Sequence, residues 1–301
     1  MRILIAGRIG QVACALLRAL EPEGHAITAL EPPELDLTSR ESLAAAVAAA
    51  RPELVINAAA YTAVDKAEDD TALAFAVNRD GAAWLAAEAA AIGAPFVHYS
   101  TDYVFSGLGG APYRETDAPG PQGVYGLSKL QGERAVMAAN PRSVILRTAW
   151  VCSADGNNFV KTMLRLAVTR DEVGVVADQH GAPTFAADLA EAVRVMAPHL
   201  VKAEAGDPRF GLFHLTGAPH TTWHGFAEAI FAGAAARGHK VPTLKAIGTA
   251  DYPTRAMRPA DGRLDCGHLQ AVHGIPAGDW RARLDETLTT LIGPPLQETI
   301  R

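Results

Sequence analysis

The sequence predicts an α/β protein built on a doubly wound parallel sheet, with a smaller lobe interleaved into its second half. Three observations predict it. The chain opens on an apolar, β-favouring run, Arg2–Ala6, that stops at a glycine turn, Gly7 to Ala13. Apolar runs of strand length then alternate with longer alanine-rich or amphipathic stretches as far as Leu146, the repetition that a parallel sheet needs. Beyond Trp150 the alternation loosens into polar loops, and no Pro/Gly/Ser-rich linker marks a clean boundary.

Taken in order, the expected strands after the first are Ala26–Leu30, Leu54–Ile56, Phe96–Tyr99 and Val144–Leu146. Helices separate them. The first leaves the glycine turn through Leu16, Leu17 and Leu20. Ser39–Arg51 starts on a capping serine and stops before Pro52, Thr71–Ile92 stops at Gly93, and Val124–Ala139 ends near Asn140-Pro141. The second half offers polar loops at Ser153–Asn158 and Asp178–Thr184, a helix around Ala186 to Pro198 and a strand at Leu212–Leu215. The expected division gives residues 1–149 and about 185–217 to the sheet domain, and about 150–184 and 218–301 to the smaller lobe.

With 301 residues, nearly half of them hydrophobic, the chain can remove about three-quarters of its unfolded surface from water, which suits one large domain or two unequal ones. A net charge of -6 without any Lys/Arg block argues against a nucleic-acid partner. Cys14, Cys152 and Cys266 are odd in number, far apart and free of Cys-x-x-Cys spacing, as expected for reduced thiols. The first apolar run is too short for a secretory signal, and no stretch approaches a membrane span, so the expectation is a cytoplasmic protein with no membrane partner. His220 and His224 have the spacing of a helical metal pair, but no glutamate follows His220, and Thr221 and Thr222 read as caps; no metal is expected.

The chemistry gathers at the carboxyl ends of the strands, where open α/β sheets bind ligands. Gly7 permits the tight turn, Gly10 lets the backbone approach a pyrophosphate, and Ala13 allows close helix packing, although Gly-x-x-Gly-x-x-Ala also occurs in ordinary strand–helix turns. Asn57 is followed by Ala58, Ala59 and Ala60, which fit either a flat platform for a cofactor or the start of a helix. Tyr125 and Lys129 stand at i and i+4, one face of any helix, an arrangement open to catalysis or to a solvated lysine over an aromatic edge. Asp65, Lys66, Glu68, Asp69 and Asp70 read as a solvated helix start, with acids near the positive end of the dipole.

Together these segments resemble the extended short-chain dehydrogenase/reductases, whose sheet is Rossmann-like, and within them the dTDP-4-dehydrorhamnose reductase family. The resemblance spans almost the whole chain: Gly7 to Val12, Asn57 to Glu68, His98 to Phe105, Val124 to Lys129, Leu146 to Trp150, Gly156 to Phe159, Asp178 to Thr184 and Thr221 to Trp223. It implies catalysis by Thr101, Tyr125 and Lys129. It also implies that NADPH or NADH is held by Gly7, Arg8, Ile9, Gly10, Gln11, Val12, Glu31, Asp36, Leu37, Asn57, Ala58, Ala59, Ala60 and Ser100, with Tyr125 and Lys129. A dTDP-linked 4-keto-6-deoxy sugar would meet Asp65, Thr101, Asp102, Tyr103, Trp150, Asn157, Asn158, Gln179 and Pro183 in the smaller, nucleotide-sugar-binding lobe. The implied reaction is hydride transfer to the C4 ketone with Tyr125 as proton donor and Thr101 polarising the same oxygen. Lowering a tyrosine from pKa about 10 to about 7 requires about 4 kcal/mol, and the Lys129 ammonium is the expected source.

The chain also departs from the family pattern. Glu31-Pro32-Pro33 after the second strand favours a free ribose hydroxyl, hence NADH, whereas Arg8 could receive a 2′-phosphate. Ala15 stands where some members place a metal-binding glutamate at a dimer contact, so a monomer or a homodimer is expected without that metal. Arg258 to Leu264 carries Asp261 and Gly262 in place of Asn and Ser, and Cys152 replaces a frequent tyrosine. Three other functions fit the same residues in part. A dehydratase of the superfamily needs a second carboxylate after Asp102, where this chain has Tyr103. A reductase of another nucleotide 4-keto-6-deoxy sugar would share the reaction centre, and a non-catalytic NADP-binding regulatory subunit, like that of methionine adenosyltransferase, could retain all three catalytic residues.

Overall fold

The computed structural model describes residues 1–296. In chain order the first half contains β1 (Arg2–Ala6), α1 (Gln11–Leu20), β2 (Ala26–Leu30), α2 (Arg40–Ala50), β3 (Leu54–Asn57), α3 (Val64–Ala67), α4 (Thr71–Phe75), α5 (Ala82–Ala91), β4 (Phe96–Thr101), α6 (Val124–Ala139) and β5 (Ser143–Thr148). The second half adds β6 (Val151–Cys152), α7 (Phe159–Thr169), β7 (Glu172–Val176), β8 (His180–Gly181), β9 (Thr184–Phe185), α8 (Ala186–Leu200), β10 (Gly211–His214), β11 (Thr221–Thr222), α9 (Trp223–Ala235), β12 (Thr243–Ile247), α10 (Gly267–His273) and α11 (Trp280–Ile292).

Six strands pair in parallel in the order β2-β1-β3-β4-β5-β10. The chain therefore reverses its direction of travel across the sheet between β1 and β3, the switch point where doubly wound sheets leave a ligand crevice. Both faces are covered, because successive strand residues point to opposite sides. Ile3, Ile5, Ile56, Val97, Leu146 and Phe213 pack against α1 and α8, while Leu4, Val55, Phe96 and Ile145 pack against α2, α5 and α6. α10 joins the first of these layers through Leu269. A separate apolar core gathers α7, α9 and α11 around Met163, Phe226, Ile230, Trp280 and Leu284. Three two-stranded pairings, β7 with β12, β8 with β11 and β6 with β9, stitch this second layer.

The strands fall where the apolar runs place them, and Ser39 caps α2 by accepting from the Ser42 N–H. One expectation fails. The uninterrupted helix over Thr71–Ile92 is instead α4, a π-helical stretch at Ala76–Gly81 and then α5. The apolar periodicity runs through the segment, and periodicity does not register the one-residue expansion of a π turn. Among the described residues no helix is long and apolar enough to cross a membrane, and no cluster of three or more His, Cys, Asp or Glu could hold a metal ion.

Candidate active site

β1 hands over to α1 through a turn built for close approach. Gly7 sits at φ +113°, a region that L side chains rarely adopt, and its N–H donates to the Leu30 carbonyl at 2.7 Å. Gly10 is extended, and a Cβ added there would meet nothing within 4 Å. α1 begins with no side-chain cap and no acidic residue in its first turn, so its free N–H groups and dipole face that open side. Such a helix start is open to an anion, a dinucleotide pyrophosphate among them. Ile9 and Arg8 are exposed on the same turn, Arg8 donating through Nε to the Ala29 carbonyl at 3.1 Å near half-buried Glu31. Val12 packs inward. Gln11 turns to the second half of the chain, where its Oε1 accepts from Asn158 Nδ2 at 2.8 Å and Ser153 Oγ at 3.1 Å.

At the end of β3 the residues after Asn57 form an open loop, not a helix start; helix begins only at Val64. Ala58, Ala59 and Ala60 are half-buried along it, and the Ala58 N–H donates to the Ala6 carbonyl, tying the loop to the end of β1. The loop after β2 is shaped from within. The Asp36 carboxylate accepts from the Thr38 N–H and hydroxyl, each at 2.8 Å, and the carbonyl of buried Leu37 lies so close to Gly81 that a Cβ there would come within 2.1 Å of it.

Thr101, Tyr125 and Lys129 come from β4 and the first two turns of α6. The Thr101 hydroxyl lies beside the phenol of half-buried Tyr125, whose ring meets Tyr103 edge-on at 5.5 Å between centroids. Thr101 Oγ1 also donates to Asp102 Oδ1 at 3.0 Å and accepts from the Tyr103 N–H. α6 can press this closely because two of its residues lack side chains: a Cβ on Gly126 would stand 2.1 Å from the Tyr103 carbonyl oxygen, and one on Gly132 equally close to that of Asn78.

The lysine does not acidify the phenol as the sequence leads one to expect. Burial pushes Tyr125 up to about 12, with Thr101 lowering it and the Asp102 charge raising it. Lys129 shares a helix face with Tyr125, but its stem runs into the sheet, where Nζ donates to the Tyr99 carbonyl at 2.6 Å and meets His98 Nε2 at 3.3 Å. Burial in turn pushes Lys129 down to about 8, opposed by Glu133. Ser100 likewise turns inward, its hydroxyl donating to Glu133 Oε1 at 2.5 Å, and Glu133 is paired with buried Arg147.

The acidic run at 65–70 does open a half-exposed helix, α3, but its side chains also reach other parts of the chain. Glu68 Oε1 accepts from the Val124 N–H at 2.9 Å and so caps the helix that carries Tyr125, where α6 has no side-chain cap of its own. Asp65 accepts from the Ala256 N–H at 3.0 Å and Arg258 Nη2 at 2.5 Å, Asp69 pairs with Arg255, and Asp70 accepts from Tyr61. Asn78, in the π-helical stretch, donates to Ser128 Oγ at 3.0 Å and bonds both backbone groups of Tyr61, joining the β3 loop to α6. Glu68 and Asn78 carry no local sequence signal of these roles, because their partners lie 17 to 56 residues away.

The far wall comes from the second half. Trp150, at φ +48°, stacks on Trp223 with centroids 3.8 Å apart, and Gly181 leaves room for its indole. A tryptophan at positive φ is an uncommon conformation that packing must hold, and Trp223 is the partner the sequence leaves unassigned. Asn157 is exposed, whereas Asn158 caps α7 by accepting from the Lys161 N–H at 3.1 Å. Gln179 donates to Thr249 Oγ1 at 3.1 Å, and buried Pro183 lies with its carbonyl against Gly217. Gly262 explains itself here: a Cβ would stand 2.4 Å from Asp102 Oδ2, so the serine of the family pattern would push that carboxyl aside.

The chain is similar over nearly its whole length to proteins described as dTDP-4-dehydrorhamnose reductases. The family model described as the RmlD substrate binding domain matches residues 1–292. The dTDP-4-dehydrorhamnose reductase of Sinorhizobium fredii is 46% identical over 280 residues, covering 93% of this chain and 94% of that protein. Among solved structures, a dTDP-4-dehydrorhamnose reductase from Clostridium acetobutylicum superposes with a TM-score of 0.90 at 36% identity, over 97% of this chain and 99% of its own. The enzyme of that name from Bacillus anthracis, solved in complex with NADP, gives 0.87 at 33% identity, over 96% and 99%.

Proposed function

Because the chain belongs to the RmlD substrate-binding-domain family, we propose that it reduces the C4 ketone of dTDP-4-dehydro-6-deoxy-L-mannose to dTDP-L-rhamnose with NAD(P)H, the last step of dTDP-rhamnose synthesis. The observation that carries the chemistry is the placing of Thr101, at the end of β4, beside Tyr125, in the first turn of α6, on the same sheet edge as an uncapped helix N-terminus behind a glycine turn. When bound, the reduced nicotinamide supplies the hydride.

The chain's residues do the rest. Tyr125 keeps its proton at neutral pH, because burial raises the phenol, and gives it from Oη to the ketone oxygen as that oxygen becomes a hydroxyl. Thr101 stands beside the phenol with its own hydrogen directed to Asp102, leaving its oxygen next to the reacting ketone. Gly7, Arg8, Ile9 and Gly10 with the α1 N-terminus form the pyrophosphate cradle, and Asn57 to Ala60 form its floor. Asp36 and Leu37 hold the loop after β2, while Arg8 and Glu31 present opposite charges at the β2 end, so the chemistry there serves either dinucleotide.

The sugar nucleotide is read between Asp102, Tyr103 and the Trp150–Trp223 stack, with Asn158, Gln179 and Pro183 fixing the loops around it. The proposed division gives residues 1–149 and 185–217 to the cofactor side and the α7, α9 and α11 layer to the sugar side. α10 packs with the sheet. Three free cysteines fit a cytoplasmic setting.

Nicotinamide absorbance followed with the dTDP-4-keto sugar tests the reading. Tyr125→Phe should bind cofactor as before and lose turnover by about 10³-fold. Near-normal turnover in the variant refutes Tyr125 as donor, and absence of turnover in the unaltered protein favours a binding subunit instead.

A further inference from the structure

The hydrogen-bond chain behind Lys129 has a proton count that fixes more than its geometry. Ala59 N–H donates to Asn57 Oδ1 at 3.1 Å, so the other end of the buried amide, Nδ2, faces His98 Nδ1 at 3.2 Å as a donor. The ring must accept there. A neutral imidazole that accepts at Nδ1 carries its hydrogen on Nε2, which points at Lys129 Nζ 3.3 Å away. That arrangement closes if the amine is neutral, offering its lone pair to Nε2–H and one N–H to the Tyr99 carbonyl at 2.6 Å. A charged Lys129 has no lone pair, so the ring would have to move its hydrogen to Nδ1, against the Asn57 amide.

We infer that His98 is a positioning residue of the reaction centre, a ring whose tautomer couples the charge on Lys129 to the orientation of the Asn57 amide and its loop. The surroundings isolate this coupling. His98 and Asn57 are each 1% exposed, and the remaining ring face stacks on Phe96. Lys129 is faced from β4 by His98 and the Tyr99 carbonyl, and from its own helix by Glu133. Glu133 already accepts from Arg147 Nε and Nη2 and from Ser100 Oγ, so its charge is met elsewhere. Burial holds His98 well below its ordinary pKa, in keeping with a ring that stays neutral while its hydrogen changes place. Because the β3 loop is read above as the cofactor's floor, the proton on Lys129 and the shape of that floor are linked through one ring.

Nitrogen NMR of the whole protein labelled at the lysine Nζ and the imidazole nitrogens tests this without turnover, so its failure is distinct from failure of the reductase reading. Lys129 is assigned by the resonance lost in Lys129→Arg. Above the Lys129 midpoint His98 should be the Nε2–H tautomer, and it should switch to Nδ1–H as Lys129 gains its proton. Asn57→Ala, which removes the opposing amide, should raise the Lys129 midpoint by roughly one pH unit. A His98 tautomer that is Nδ1–H throughout, or one that does not change as Lys129 titrates, overturns the coupling, as does an unmoved midpoint in the folded variant.

Discussion

Asp102 stands where a carboxylate is costly. It is 2% exposed, and burial lifts it from 3.8 to about 7 despite the Thr101 hydroxyl and backbone N–H groups that favour its charge. The folded protein therefore keeps a proton that the unfolded chain has released across pH 4 to 7. Stability from this group is full below pH 4 and is lost as pH rises through 7, the reverse of an ion-paired aspartate. Asp102→Asn removes the ionisable group and keeps an oxygen for Thr101. Its denaturation free energy, measured in urea from pH 4.5 to 8, should lose that downward slope and exceed the unaltered protein's at pH 8, by about 4 kcal/mol at most. Turnover should fall, since Asp102 fixes the hydroxyl that stands beside the phenol. A variant whose slope matches the unaltered protein would place the titration elsewhere. That Thr101 closes a strand and Tyr125 opens a helix was legible from local signals, but the direction of Lys129 was not, since its partners sit on β4, 30 and 31 residues away.

α6 owes its position to contacts that no local pattern records. Its first turn holds Tyr125, yet its cap is Glu68, 56 residues earlier, and its third turn is gripped by the π-helical stretch through Gly132 and Asn78. Sequence periodicity gave α6 its length but says nothing of what seats it, and the same periodicity hid the π turn. Glu68→Ala should cost about 1 kcal/mol of stability, the usual effect of losing a cap, and should lower kcat about tenfold by letting Tyr125 shift. Glu68→Gln, which keeps an acceptor, should recover most of both. Equal loss of kcat in the two variants would mean that the charge of Glu68, rather than its cap, acts on the phenol.

Across the molecule the two halves of the chain meet at both flanks of the crevice between β1 and β3. On one flank Gln11 accepts from Ser153 and Asn158. On the other, Asp65 holds the segment at Ala256 and Arg258, whose guanidinium lies 5.9 Å from the Tyr103 ring centroid. The sheet and the existence of a second lobe were readable from strand–helix alternation and its loss after Trp150. These bridges were not, because each joins residues more than 140 positions apart. Their placement suggests separable tasks: the first flank adjoins the proposed pyrophosphate cradle, the second adjoins the residues proposed for the sugar. Asp65→Ala should therefore raise KM for the sugar nucleotide about tenfold and leave KM for the cofactor within about twofold. Thermal stability should change little, as the Asp65 side chain is 47% exposed and such pairs contribute about 1 kcal/mol or less. If both KM values rise together, the strap at 255–258 supports the crevice as a whole, and the sugar side has no separate hold on the chain.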